Sequence, residues 1–300
     1  MSVPDVSPEI PPLRWRATLR LLGGLPQGAM SRGFGAIADI PLPRSLRRPV
    51  LSAFARATGI DATRAEKDIA EYGSINEFFV RRLRPGAHSI DASSDRPVSP
   101  VDGIVGQLGG IEKGSLIQAK GRTYTAGALL GDPLAAERFR HGSFITIYLS
   151  PRHYHRIHAP CSGAIRRCDH IPGALLPVNL PSVMHIDALF PRNERLVCYI
   201  EDGGGSFGST AVVAVGAYNV GRISAAFDPA WRDGRHITNR RDAAGESRHY
   251  DPPVAVAKGD EIMAFHLGST VVLLFDRPVT FLPGIAPGSD VTMGSAIGML

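Results

Sequence analysis

The chain reads as an α+β fold, with a mainly antiparallel β core and a helical region over residues 1–85. Three observations predict this. After residue 90, short apolar runs rich in β-branched and aromatic residues recur between glycine-rich turns, the pattern of buried strands. Helical spacing of apolar residues is confined to the first 85 positions. The 33 glycines and 24 prolines favour many turns and short strands over long helices.

Residues 1–12 are proline-rich and are expected to be disordered. Trp15, Leu19 and Leu22 then fall at i, i+4 and i+7 on one helical face, flanked by Arg14, Arg16 and Arg20 and stopped by Gly23-Gly24. A second stripe, Val50, Leu51 and Phe54, follows Arg47-Arg48-Pro49. Residues 1–60 hold eight arginines against three acids, a net of +5, which equals the net charge of the whole chain. An apolar face bordered by guanidinium groups suits a helix lying in an anionic membrane surface. Ordinary packing of these helices on the core is the alternative. Nucleic acid is disfavoured, because aromatic interleaving is sparse and the remaining 240 residues are balanced in charge. Asp61 is expected to cap a short helix ending near Tyr72-Gly73. Ser74 and Glu77 read as a capping box that opens a helix through Phe78, Phe79 and Val80, closed by Pro85-Gly86.

Residues 86–300 form the expected β-rich domain. Ser143–Leu149, Arg195–Ile200 and Ala211–Val215 are its strongest strands. The polar stretch 228–251 has no clear period and reads as an insertion or mobile loop. Cys161, Cys168 and Cys198 lack metal-ligand spacing, and their odd number suits a reducing compartment better than a disulfide framework. Neither a signal-peptide pattern nor an apolar run near the ~20 residues of a membrane span is present in the sequence.

One stretch carries unusual chemistry. Gly268-Ser269 lies between two strand-like runs, Ile262–Phe265 and Val271–Phe275. Glycine in a strand marks a bend or a close backbone approach, and it leaves its own carbonyl unshielded. If the backbone bends, the Ser269 hydroxyl can attack the Gly268 carbonyl and turn the amide into an ester, provided a base takes the proton. A plain Gly-Ser bulge is the bland reading. Pro100-Val101-Asp102-Gly103 sets a carboxylate beside a glycine, alone only a turn signal. His153, His155 and His158 cluster directly after a strong strand, which fits a metal site, an acid–base pair or a histidine-rich loop. Taken together, His158 or His155 can serve Ser269 as base, and Asp102 can orient the imidazole.

These residues bear a resemblance to the phosphatidylserine decarboxylases. Leu267-Gly268-Ser269-Thr270 resembles their self-cleavage motif. Asn76–Arg81, Pro100–Gly103, Leu149-Ser150-Pro151, Tyr154–His158, Pro172-Gly173, Val178-Asn179, Arg192–Arg195 and Val215–Ala217 resemble family signatures in family order. Pro177 and Pro191 stand where the bacterial pattern has Ser and Ala. The resemblance implies that Asp102 orients His158 and that His158 deprotonates Ser269. Cleavage at Gly268-Ser269 then leaves a pyruvoyl group at position 269, on a short chain 269–300 that stays paired with the long chain 1–268. The pyruvoyl group would form a Schiff base with phosphatidylserine, and loss of CO2 would yield phosphatidylethanolamine, with His155 protonating the carbanion. It further implies no metal, a peripheral place on the cytoplasmic face of the cell membrane, and leaves a homodimer open.

Overall fold

The computed structural model describes residues 27–119, 121–218, 222–232, 244–266 and 269–300. The Trp15 face with its arginines, and Leu267-Gly268, lie outside them, as does the side chain of Ser269.

The helical region comes first. Helix α1 spans Gln27–Ala38 and α2 spans Arg44–Thr58, which Gly59 ends in the left-handed conformation at φ 76°. That backbone shape costs glycine little and other residues more. The expected helix from Asp61 to Tyr72 is instead two 3-10 turns, Ala62–Arg64 and Ile69–Glu71. Asp61 does cap the first, accepting from Thr63 N–H, but Asp68 starts a new cap on the second. The chain between them is pulled straight by pairing with a distant segment, through Ala65 opposite Leu83 and Glu66 N–H on the Arg82 carbonyl. Helix α3, Ile75–Phe79, opens at Ser74, which accepts from Glu77 N–H. The Glu77 carboxylate takes the N–H of Gly73 at 2.7 Å, one residue before the cap.

The second apolar stripe does not face outward. Leu51 is fully buried, in a cluster with Ala55, Ile60, Tyr72, Phe78 and Phe79, and Phe54 packs edge-on to both phenylalanines. Core packing, rather than a membrane, takes this face. Exposed apolar surface lies earlier, at Phe34, Ile37, Ile40 and Leu46. Leu51→Ala is therefore expected to cost about 2–5 kcal/mol of folding stability. Denaturant unfolding should register that loss, and lipid-vesicle binding should not change.

The body begins with β1 (Gly103–Gly110), the hairpin β2 (Ser115–Ala119) and β3 (Arg122–Thr125), and β4 (Ser143–Leu149). It continues with β5 (Arg156–His158), β6 (Gly163–Ile171), β7 (Arg195–Glu201), β8 (Ser209–Val215), β9 (Arg222–Ala225) and β10 (Glu246–Val256). The last elements are β11 (Glu261–His266), β12 (Ser269–Phe275) and the short β13 (Thr280–Phe281), β14 (Asp290–Val291) and β15 (Gly298–Met299). Eight strands form one sheet in the order β10-β6-β7-β8-β12-β4-β1-β14, and β5-β11-β9 form another. Among the described residues, every strand ladder is antiparallel. Residues 246–251, expected in a loop, belong to β10. This strand is at the sheet edge and largely exposed, so it can be polar and shows no apolar period.

Strand β12 sits mid-sheet between β4 and β8, with Val271 through Phe275 fully buried. Covering on both faces explains its unbroken apolar run. Among the described residues, no helix is long and apolar enough to cross a membrane.

Candidate active site

Strand pairing at one end of the large sheet builds the site. Leu149, the last residue of β4, is opposite Ser269, the first of β12. The chain leaves β4, passes through Ser150–His155 and enters β5, where Arg156 is opposite Ala264 of β11. The His155 carbonyl accepts Phe265 N–H at 2.9 Å. Both ends of the histidine-bearing segment are thus pinned to the two strands that flank Gly268-Ser269. Asp102 arrives from the other side. Gly103, which follows it, pairs with Val291, and its neighbour Ile104 pairs with Tyr148. A Cβ on Gly103 would lie 2.7 Å from the Tyr148 carbonyl oxygen, so only glycine fits this approach. The His158 N–H donates to the Pro100 carbonyl at 2.8 Å, tying the aspartate loop to the histidines.

His158 Nδ1 lies 2.7 Å from the Gly259 carbonyl, and Nε2 lies 3.3 Å from the Tyr154 hydroxyl. A carbonyl only accepts, so Nδ1 carries the hydrogen and Nε2 presents a lone pair. Burial lowers the His158 pKa below 6.5, and the neutral ring persists at neutral pH. His155 is completely buried against the Phe79 ring, with centroids 4.1 Å apart. Its Nδ1 donates to the His153 carbonyl at 2.9 Å, and its Nε2 has no partner among the described residues. Burial first, then the nearby Arg81 charge, push its pKa down to about 3. Thr270 Oγ1, next to Ser269, is also buried and unpartnered among the described residues. Two buried polar atoms without a described partner, one on the residue after 269 and one on the segment joining β4 to β5, leave hydrogen-bonding capacity that a polar group formed at 269 could take up.

Asp102 departs from expectation. Its Oδ1 accepts from His88 Nε2 at 3.1 Å and from Met293 N–H at 2.9 Å, and it makes no hydrogen bond to His158. The Gly259 carbonyl holds the place on the His158 ring expected for Asp102. Burial works to raise the Asp102 pKa. The hydrogen bonds from His88 and Met293, with the Arg64 charge, outweigh it and hold the carboxyl below its usual value. Sequence reasoning singled out none of His88, Gly259 or Met293. Tyr154 was visible only as part of a motif. His88 carried no signal beyond its residue type, and backbone groups carry none at all.

His153 Nδ1 accepts Ser150 N–H at 3.0 Å, away from the other two rings' bonds. Among the described residues, no three His, Cys, Asp or Glu side chains are gathered to hold a metal. Other family-like motifs interlock as structure. A Cβ on Gly173 would meet the backbone of Arg192–Glu194 at 2.6 Å, the Asn193 side chain donates to the Leu176 and Gly216 carbonyls, and Gly216 N–H reaches the Glu194 carbonyl.

A family model described as "Phosphatidylserine decarboxylase" matches residues 75–299. The chain is 44% identical over 283 residues to a protein of Anaeromyxobacter sp. (strain K), an alignment covering 94% of this chain and 96% of that one. It is 40% identical over 283 residues to one of Myxococcus xanthus (strain DK1622), covering 94% and 98%. A protein of Brevibacillus brevis is 40% identical over 279 residues, covering 92% and 95%. Each of the three bears the name "Phosphatidylserine decarboxylase proenzyme".

Proposed function

The chain belongs to the phosphatidylserine decarboxylase family, and from that premise we propose how its residues mature it and carry the reaction. It is a carboxy-lyase made as a proenzyme that cuts itself, and it converts phosphatidylserine into phosphatidylethanolamine and CO2. His158 Nε2, a lone-pair acceptor at neutral pH, takes the hydroxyl proton of Ser269. The oxygen attacks the Gly268 carbonyl, and the amide becomes an ester. Removal of the Cα proton of residue 269 expels the Gly268 carboxylate and leaves a dehydroalanine. Its hydrolysis releases ammonia and makes the pyruvoyl group. The long chain is then 1–268 and the short chain 269–300. The observation that supports this reading is the register: Leu149 is opposite Ser269 and Phe265 N–H reaches the His155 carbonyl, so the histidine-bearing segment runs from the strand that pairs with residue 269 to the strand that precedes residue 268.

The pyruvoyl group supplies a ketone for the substrate amine and an electron sink as CO2 departs. This chain's residues manage the protons. His155 Nε2 is an acceptor at rest, because Nδ1 holds its hydrogen toward the His153 carbonyl. A ring whose pKa is pushed down to about 3 is a weak base, but once protonated it is a ready acid and gives its proton to the carbon that has lost CO2. The expected role of His155 as donor is kept. The test is to incubate the purified protein with phosphatidylserine while following its mass. A short fragment beginning with pyruvoyl at 269, together with phosphatidylethanolamine, is the expected result. Decarboxylation by a chain that stays whole would overturn the reading.

The substrate is a bilayer lipid, and residues 1–85 act as a membrane-associating region beside a catalytic domain spanning 86–300. Phe34, Ile37, Ile40 and Leu46 expose apolar surface close to the exposed Arg44, which suits peripheral docking on an anionic, cytoplasmic leaflet. Replacing Phe34 and Ile37 together by Asp should weaken binding to phosphatidylserine-containing vesicles at least ~10-fold, since burying one large apolar side chain is worth about 1.5–3 kcal/mol. Vesicle sedimentation measures this, and self-cleavage in solution should continue at the parent rate.

A further inference from the structure

Arg81, just after α3, is a buried cation without a counter-ion. It is 4% exposed. Its Nε is buried with no partner among the described residues, and Nη1 lies 3.5 Å from the Phe79 carbonyl, the outer limit of a hydrogen bond. The guanidinium carbon stands 5.7 Å from the centre of the Phe78 ring. Nearby arginines are paired, since Arg82 and Arg156 share the Glu261 carboxylate. Asp102 favours the Arg81 cation through space, but its Oδ1 takes its hydrogen bonds from His88 and Met293. Burial lowers the Arg81 pKa, yet a guanidinium stays charged at neutral pH. A buried charge is costly unless it is paired, so this one leaves a place for an anion.

That place adjoins the site. The segment that carries Arg81 runs beside the segment that carries His155. The Phe79 and His155 rings are 4.1 Å apart, and Arg156 Nε donates to the Val80 carbonyl at 2.8 Å. These two contacts bracket Arg81 and His155 on facing stretches of chain. The Arg81 charge is felt at His155, where it is second to burial in lowering the pKa.

Phosphatidylserine brings two anions, a carboxylate and a phosphodiester. A guanidinium on the carboxylate would stabilise the charge that has to leave that carbon as CO2 departs, and would oppose the reaction. The phosphodiester keeps its charge from substrate to product. Its oxygens also match the forked donors of arginine. We propose that Arg81 binds the phosphodiester of phosphatidylserine and so sets the serine head group against His155 and position 269. The inference rests on the reading that the substrate amine meets a pyruvoyl group at 269. It adds a substrate-binding residue from the membrane-associating region, the side from which a lipid phosphate arrives.

The experiment uses full-length parent, Arg81→Met and Arg81→Lys proteins. Self-cleavage is followed first. KM and kcat for short-chain phosphatidylserine are then measured per pyruvoyl-bearing molecule, together with inhibition by short-chain phosphatidylethanolamine, which has the phosphodiester but no carboxylate. Both variants should mature within about 3-fold of the parent rate, because the proposed contact is with substrate. Arg81→Met should raise KM about 10–100-fold with little change in kcat, the worth of a charge-assisted hydrogen bond held equally in ground and transition states. The inhibition constant of phosphatidylethanolamine should rise by the same factor. Arg81→Lys keeps the charge and loses the fork, and should raise both constants together by about 3–10-fold. A raised KM with unchanged inhibition by phosphatidylethanolamine would assign Arg81 to the carboxylate and overturn the inference. An unchanged KM, or a loss confined to kcat, overturns it as well. Failure of both variants to mature does the same, since the charge would then serve the fold. A parent that neither fragments nor decarboxylates would instead sink the functional reading itself.

Discussion

Ser269→Ala should yield a single intact chain of 32.1 kDa that does not decarboxylate phosphatidylserine. The parent should yield fragments 1–268 and 269–300. The effect is expected to be all-or-none, because in the proposed route the hydroxyl is the nucleophile, and its loss from Cβ with the Gly268 carboxylate creates the dehydroalanine whose hydrolysis gives the ketone. Alanine offers neither. The substitution leaves the fold in place, because residue 269 meets Leu149 through its backbone and the buried run Val271–Phe275 is untouched. Parent fragments should also co-purify. The short chain is zipped into β4 on one side and β8 on the other, Gly288 N–H bonds the Val105 carbonyl, and Ile297 N–H bonds the Pro97 carbonyl. Mass spectrometry under native and denaturing conditions checks both points. Fragmentation of the alanine chain at the same bond would show that the hydroxyl is not the nucleophile.

Loss of the base is the second large effect. His158→Ala should slow self-cleavage by about 10²–10⁴-fold, the range for removing a positioned acid–base group. The pH dependence has a definite sign. Burial lowers the His158 pKa below 6.5, so the unprotonated base predominates throughout neutral pH. The parent rate should therefore be flat above pH 6.5 and decline only in acid below it. A midpoint at or above 6.5 would contradict the burial argument. His155→Ala separates the two histidines. It should still produce both fragments and then decarboxylate poorly, because in the proposed route the wild-type His155 Nε2, without a partner among the described residues, serves the substrate and not the scissile bond. Rate constants for fragment formation and for CO2 release, measured on the same preparations, make the distinction.

Local chemistry made much of this readable in advance. A short, unbroken apolar run such as Val271–Phe275, with β-branched and aromatic residues, reads as a strand covered on both faces, and it is one. Ser74 three residues before Glu77 can be read as a helix start from the capping geometry alone. Gly268-Ser269 between two such runs, with three histidines after another, pointed to an acyl shift, and the resemblance to the decarboxylase family turned that into an expectation of self-cleavage. Where expectation and structure part, a contact distant in sequence is the cause. The stripe of Leu51 has the same spacing whether it meets lipid or protein, and Phe78 and Phe79 decide for protein. The segment after Asp61 is straightened by Arg82 and Leu83, beyond any local window. Residues 246–251 look like a loop because an exposed edge strand needs no apolar face.

By itself the amino-acid order determined the strand-rich body and the cationic start, and through its family-like motifs it named the bond and side chains proposed to break it. These follow from periodicity, charge and motif order, properties of neighbours along the chain. The tertiary structure alone decided which groups meet. His88 rather than His158 faces Asp102, the Gly259 carbonyl 101 residues on orients the His158 ring, and Met293, 191 residues from Asp102, shares its oxygen. Hydrogen-bond partners are set by strand order and register, and those are fixed by how the whole core packs.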